Sequence, residues 1–362
     1  MTNQNSLSLP AVLGILLLFS LPSHAQAPVP SAAPEPARQP SPAAPAMPRL
    51  TLDSSGAGLA LAGADESFTE LTLKGSNLKP DPPVMGSREV TENFTRELWQ
   101  VNWRPNDPID LWVILPKGVK NPPVVLYLYG FPTDTARFRD LSYCRRITGS
   151  GAAAVGFVSA YTGHRSEHGP MNHNFVTRMP EAMVSTVHDI QLILDFLQSR
   201  GDLDMSRVGI FGQGSGGAIA TLAASVEPRI KALDLLVPWF DYPVWFRSAV
   251  DVPWQKGAPA TGLITPEILE ALEPFDPLVV LPRLKTQKIR LQIAGDQGMP
   301  AEALDQLQAA MPAPGQLARF QHEVNMYDLA TGGRIFQWLA TQLDAHPAPP
   351  EPAPAAPPKT TP

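Results

Sequence analysis

Residues 207–220 read RVGIFGQGSGGAIA, and this stretch limits the fold more than any other. A short apolar run of β-forming residues enters a cluster of glycines, and small helix-compatible residues follow. That order is a strand, a tight turn and a helix start. Apolar runs of the same kind recur along the chain: PPVVLYLYG (122–130), GAAAVGFVSA (151–160), IKALDLLVP (230–238), KIRLQIAG (288–295) and QLARFQHEV (316–324). Continuous apolar runs suit parallel strands buried on both faces. Helical patterns separate them. One covers about 135–149, and a long one covers 180–201 with Val187, Ile190, Leu194 and Leu197 on a single stripe. Others run from the glycine turn to about Ser225, through PAEALDQLQAAM (300–311) and through TGGRIFQWLATQL (331–343). Repeated β–α units of this kind predict an α/β fold, a mostly parallel central sheet with helices on both faces.

An N-terminal β-hairpin precedes these units. TRELWQVNW (95–103) alternates with period two, RPNDP supplies the turn, and IDLWVILP (109–116) returns. Residues 49–93 read as an irregular extension with short strands such as FTELTL (68–73), and residues 94–345 as the main domain. Within it, 239–285 is rich in aromatics and proline and reads as an irregular cap insertion over a site. The two ends are different in kind. Ala11–Leu21 is an apolar run followed by PSHAQA, so residues 1–27 read as a cleavable signal peptide and the protein as exported, periplasmic or secreted. That run is too short to span a bilayer, which takes about 20 residues. Residues 28–48 form a Pro/Ala-rich linker and 346–362 a Pro/Ala-rich disordered tail, and together they hold many of the 41 prolines. A net charge of −6 without a basic block argues against nucleic acid. The one cysteine, Cys144, excludes an intrachain disulfide and reads as a small buried hydrophobe.

Three machines use a strand, a glycine turn and a helix: the nucleophile elbow of serine hydrolases, the dinucleotide loop and, more loosely, phosphate loops. The longer run VHDIQLILDFLQSRGDLDMSRVGIFGQGSGGAIA (187–220) resembles the α/β-hydrolase superfamily. Its nearest look is to the dienelactone hydrolase, prolyl-oligopeptidase and acetyl-esterase branch. The resemblance extends in order through VVLYLYGFP, VGFVSAYTGHR and RLQIAGDQGMP, covering about 95–343. It implies the α/β-hydrolase fold and, in active members, a serine on a strained G-x-S-x-G turn with an acid and a histidine on later loops.

Laid on that pattern, Gly212 and Gly216 take the small positions, Gly217 is the extra glycine, and the nucleophile position falls on Gly214. Sliding by one residue makes Ser215 the nucleophile but leaves Gln213 where a small residue belongs. The acid position falls on Gly298, with Asp296 two residues early, and the histidine loop holds none, with His322 about three residues early. Tyr129, Gly130 and Phe131 take the oxyanion-hole positions, where the Ser215 amide also falls. The resemblance therefore implies a degenerate triad, without a cofactor, whose cleft holds an unknown small molecule or protein ligand. Two other readings stay open: an active esterase or peptidase using Ser215, Asp296 and His322, and a dinucleotide site through Gly212-x-Gly214-x-x-Gly217. The last calls for an acid at the end of the next strand, where Asp234 lies mid-strand and Asp241 lies beyond it.

The loop TGHRSEHGPMNHN (162–174) carries His164, Glu167, His168 and His173 at spacings that match no compact zinc pattern. It follows a strand, so His164 and Arg165 are its candidates for touching a ligand. The stripe of the long helix leaves His188 and Asp189 near the sheet edge, with Asp189 anchoring a turn or Arg207. WFDYPVWF (239–246) reads as a roof over an apolar pocket or as packing under the insertion.

Overall fold

The computed structural model describes residues 66–131, 135–165, 176–248, 264–286, 288–294, 300–320 and 336–347. The stretches expected as signal peptide and linker, and the tail beyond Pro347, lie outside the described residues, as do Asp296 and His322. No helix among the described residues is long and apolar enough to cross a membrane.

Nine strands form one sheet: β1 (Val84–Val90), β2 (Phe94–Val101), β3 (Ile109–Pro116), β4 (Pro123–Leu128), β5 (Ala153–Gly156), β6 (Asp204–Gln213), β7 (Ile230–Leu236), β8 (Lys288–Ala294) and β9 (Gln316–Phe320). Their order is β1-β2-β3-β5-β4-β6-β7-β8-β9. The β2/β3 hairpin pairs antiparallel from Phe94↔Pro116 to Val101↔Ile109, and β1 and β5 flank it antiparallel. From β5 through β4, β6, β7 and β8 to β9 every pair is parallel. Alternation along each strand feeds two cores. Val124, Leu126 and Leu128 of β4 join a cluster with helices α2 (Met179–Arg200), α3 (Ser215–Val226) and α7 (Ala301–Ala310). Val125 and Tyr127 join one with α1 (Leu141–Thr148) and α8 (Gln337–Gln342). The sheet is thus covered on both faces, which is why its central strands read as unbroken apolar runs.

Local chemistry refines several boundaries. The helix expected over 135–149 is a 3₁₀ turn at Ala136–Arg139 and then α1, because Asp140 turns extended and its carboxylate caps the Tyr143 amide at 2.5 Å. The strand expected over 151–160 shortens to β5. The cap insertion contains α4 (Tyr242–Ser248), α5 (Pro266–Leu272) and α6 (Pro277–Val280), the last two each started by a side-chain cap and a proline.

Two expectations are corrected. FTELTL is not a strand: the carbonyls of Glu70, Leu71 and Thr72 accept from the side chains of His188 and Gln191 on α2 instead of from a neighbouring strand. The regular element of the N-terminal extension is β1, an edge strand exposed at all seven residues. With no face to bury, it carries no burial pattern that a sequence could display.

Candidate functional site

At the carboxyl end of β6 the chain turns on Gly214, with φ 57° and ψ −123°, and Ser215 opens α3. This conformation belongs to the first central position of a II′ turn, where glycine dominates because a side chain is strained there. The pivot is tied on every side. The Gly214 amide donates to Leu236 O at 3.0 Å, and its carbonyl accepts from the amides of Gly217 (3.0 Å), Ala218 (3.2 Å) and Trp239 (3.0 Å). The flanking glycines answer to close approach. A Cβ on Gly212 would lie 2.6 Å from Gly216 O, one on Gly216 2.4 Å from Leu128 O, and one on Gly217 2.9 Å from Pro238 Cβ. At Gly214 itself the nearest atom to such a Cβ is Trp239 Nε1 at 3.4 Å, followed by Gly130 Cα at 3.7 Å. The position has space for a side chain and lacks one.

Ser215 is not a second pivot. It is the first residue of α3, it has no surface exposure, and its Oγ accepts the Phe131 amide at 2.7 Å. Gly130 lies against the same turn. The structure therefore gathers Gly130, Phe131, Gly214 and Ser215 in one place. Over them sit aromatics of the insertion. Phe131 meets Trp239 edge-on at 5.9 Å, Trp239 overlaps Trp245 at 4.1 Å, and Trp245 meets Phe246 at 4.9 Å. WFDYPVWF packs its rings against one another and against Phe131 beside the turn.

Other candidates go elsewhere. The Tyr129 side chain leaves the turn for the opposite core. There it packs on Phe211 at 5.9 Å, lies 3.5 Å beneath the Arg137 guanidinium and shares a hydrogen bond with the Tyr143 hydroxyl. Burial raises its phenol above the ordinary 10, although Arg137 and Tyr143 pull the other way. His164 is exposed on a 3₁₀ turn, and Glu167, His168 and His173 lie outside the described residues. Among the described residues no three His, Cys, Asp or Glu are grouped to hold a metal. Asp234 sits inside β7, where it accepts from Arg290 Nε at 2.9 Å, Arg290 Nη2 at 2.6 Å and Gln292 at 2.7 Å, and burial raises its carboxyl above 3.8. It offers nothing to a ribose at the strand's end. Asp241 takes a positive φ of 47° and accepts the Val244 amide. Cys144 is buried and donates to Phe138 O, and burial pushes its thiol up to about 11.

Arg165 is not a ligand contact. Its side chain is fully buried, with Nη1 donating to Asp189 Oδ2 (2.7 Å) and Val158 O (2.9 Å), while Nε and Nη2 hold Asp107 at 2.8 and 2.5 Å. Asp189 is likewise not at a sheet edge, nor on Arg207, which pairs with Asp204 instead. It accepts from Trp103 Nε1 at 2.8 Å and from Arg104, whose Nε and Nη2 each reach Glu66 at 2.6 Å. His188 completes the cluster, Nδ1 against Glu66 at 2.6 Å and Nε2 against the carbonyls of Glu70 and Thr72. Burial alone would raise the Asp189 carboxyl, but Arg104 and Arg165 pull it below 3.8. Glu66 behaves alike: Arg104 and His188 outweigh its burial and hold it below 4.5. This buried network ties the N-terminal segment, the tip of the β2–β3 hairpin and the loop after β5 to α2. Sequence reasoning missed its membership. The available signal was a His-Asp pair inside an otherwise apolar helix, VSTVHDIQLIL.

Comparisons with solved structures decide the fold. Acetyl xylan esterase 1 from Thermoanaerobacterium sp. JW/SL YS485 superposes with a TM-score of 0.58 at 16% identity, over 77% of this chain and 94% of that one. The acetyl xylan esterase from Paenibacillus sp. R4 gives 0.55 at 17% identity, over 74% and 91%. The chain has the α/β-hydrolase fold. No protein-family model matches the chain. One curated relative, from Methylorubrum extorquens (strain ATCC 14718 / DSM 1338 / JCM 2805 / NCIMB 9133 / AM1), carries the name of a carboxymethylenebutenolidase and is 28% identical over 145 residues. The match covers 40% of this chain, which thus spans about two fifths of that relative's length.

Proposed function

We propose that this is an exported α/β-hydrolase-fold protein that holds a small molecule or protein in the cleft above Gly214 and does not turn over an ester or peptide. One observation carries the reading: the pivot of the elbow is glycine, and the neighbouring hydroxyl is enclosed against the Phe131 amide. Acyl transfer starts with an activated nucleophile exposed to the acyl carbon. Gly214 has no side-chain oxygen to offer, and Ser215 is fully buried. In an active elbow the Phe131 and Ser215 amides would face a developing oxyanion. Here the Ser215 hydroxyl already takes the first of them.

The esterase names of the structural relatives make ester hydrolysis the activity to test first. Purified full-length protein is expected to stay unlabelled by a fluorophosphonate probe and to leave p-nitrophenyl acetate intact. Labelling that disappears in Ser215→Ala would establish a serine hydrolase instead. Export rests on the apolar run Ala11–Leu21 and the small residues after it. Intact-mass measurement of protein from the producing cells should find a chain beginning at Gln26 or Pro28. A chain retaining Met1 in the cell envelope fraction would refute cleavage.

A further inference from the structure

We propose a second, anion-binding site at the end of the sheet opposite the elbow. A cavity of about 790 Å³ opens there among the amino-terminal ends of β6, β7 and β8 and the carboxyl-terminal ends of α3 and α8. Arg207, Lys231, Lys285 and Lys288 line it, and Asp344 is its one lining carboxylate. The chain as a whole carries a net charge of −6, so this convergence does not follow from a basic composition.

Cations at helix carboxyl ends have an ordinary use, because they meet the terminal carbonyls and the helix dipole. Three of the four are partly so engaged. Arg207 donates to Leu343 O and Asp344 O and pairs with Asp204, Lys231 donates to Pro228 O at 2.7 Å, and Lys288 donates to Gln342 O at 2.6 Å. An ammonium group has three N–H donors, and each of these lysines gives one to a carbonyl. Lys285 caps nothing: it is exposed and makes no hydrogen bond or ion pair among the described residues. Carbonyl contacts take one bond each from Lys231 and Lys288 and two from Arg207, which also pairs with Asp204, and they leave Lys285 and the other ammonium donors of Lys231 and Lys288 for a ligand.

Like charges gathered in a concave, low-dielectric surface focus a positive potential and concentrate counter-ions. The volume exceeds that of a single ion and falls in the range of small-ligand sites, about 300–1,000 Å³. With Arg207 paired to Asp204 and Asp344 the one lining carboxylate, the three lysines still call for more negative charge than a single carboxylate supplies. The ligand class that fits is a small multivalent oxyanion of the oligophosphate type. This site lies outside the cleft and holds whether or not the elbow is catalytic.

The probe is sodium tripolyphosphate, added to full-length protein at low salt, with melting temperature and titration calorimetry as readouts. A saturable rise in melting temperature beyond that of NaCl at equal ionic strength is expected. Binding should be about tenfold weaker in Lys231→Gln/Lys285→Gln, a loss of about 1.4 kcal/mol. Both lysines are exposed, so the ligand-free melting temperature should not move and serves as the check on folding. A response equal to that of NaCl, or equal binding by the double variant, would overturn the site.

Discussion

Replacing Asp189 by alanine should cost about 3–5 kcal/mol in urea unfolding, because it leaves two guanidinium groups buried without their shared carboxylate. Arg104 and Arg165 approach this one side chain from different loops, and Trp103 adds a third donor. Arg165 cannot follow water outward, since its side chain and Asp189 have no exposure, and the Arg104 side chain is only 12% exposed. Asp189→Asn keeps the volume and part of the hydrogen bonding, so it should lose less than the alanine variant while still exceeding a surface substitution. An acid titration gives an independent reading. The Asp189 and Glu66 carboxyls are lowered in the folded protein, so their contribution is full above the unfolded values of 3.8 and 4.5. It is lost as pH falls below those values towards the folded ones. Asp189→Ala should show a shallower fall in stability through that window. An alanine variant as stable as the parent at pH 7 would mean that the network contributes nothing.

Gly216→Ala should be the most damaging of single-methyl additions at the elbow, costing about 3 kcal/mol, the upper end of ordinary overpacking. The added carbon meets Leu128 O at 2.4 Å, and a strand carbonyl cannot swing aside as a side-chain tip can. Gly214→Ala is the informative contrast. Its added carbon touches nothing closer than 3.4 Å, so only the positive-φ strain remains, about 1–3 kcal/mol. Denaturation midpoints should therefore rank parent, Gly214→Ala, then Gly216→Ala. The reverse order would show that the turn does not have the conformation described. The contrast also bears on function: space at the pivot did not exclude a serine, whereas strain is relieved without one.

The cleft and the buried network were not equally legible. Glycine spacing around 212–217 is a local property, so the turn and the residue at its pivot could be read from a dozen letters. The cleft side of Phe131 and the departure of Tyr129 to the other core could not. Adjacent residues leave a turn in directions set by the strands beneath them. Arg165 misled for a related reason. A cation on a loop after a strand has the address of a ligand contact, and only its carboxylate partners, 24 and 58 residues away, reassign it.

What the amino-acid order determined by itself was the alternation of buried strands and helices, and the absence of a side-chain hydroxyl at residue 214. Both are written in hydrophobic period and glycine placement, which act over a few residues. Only the tertiary structure decided that Ser215 turns its hydroxyl to the Phe131 amide, and that Glu66, Arg104 and His188 meet across up to 122 residues of chain. It also decided that β1 joins the sheet with no face to bury. Those outcomes depend on which surfaces the folded layers bring together, and a linear pattern records burial but not partners.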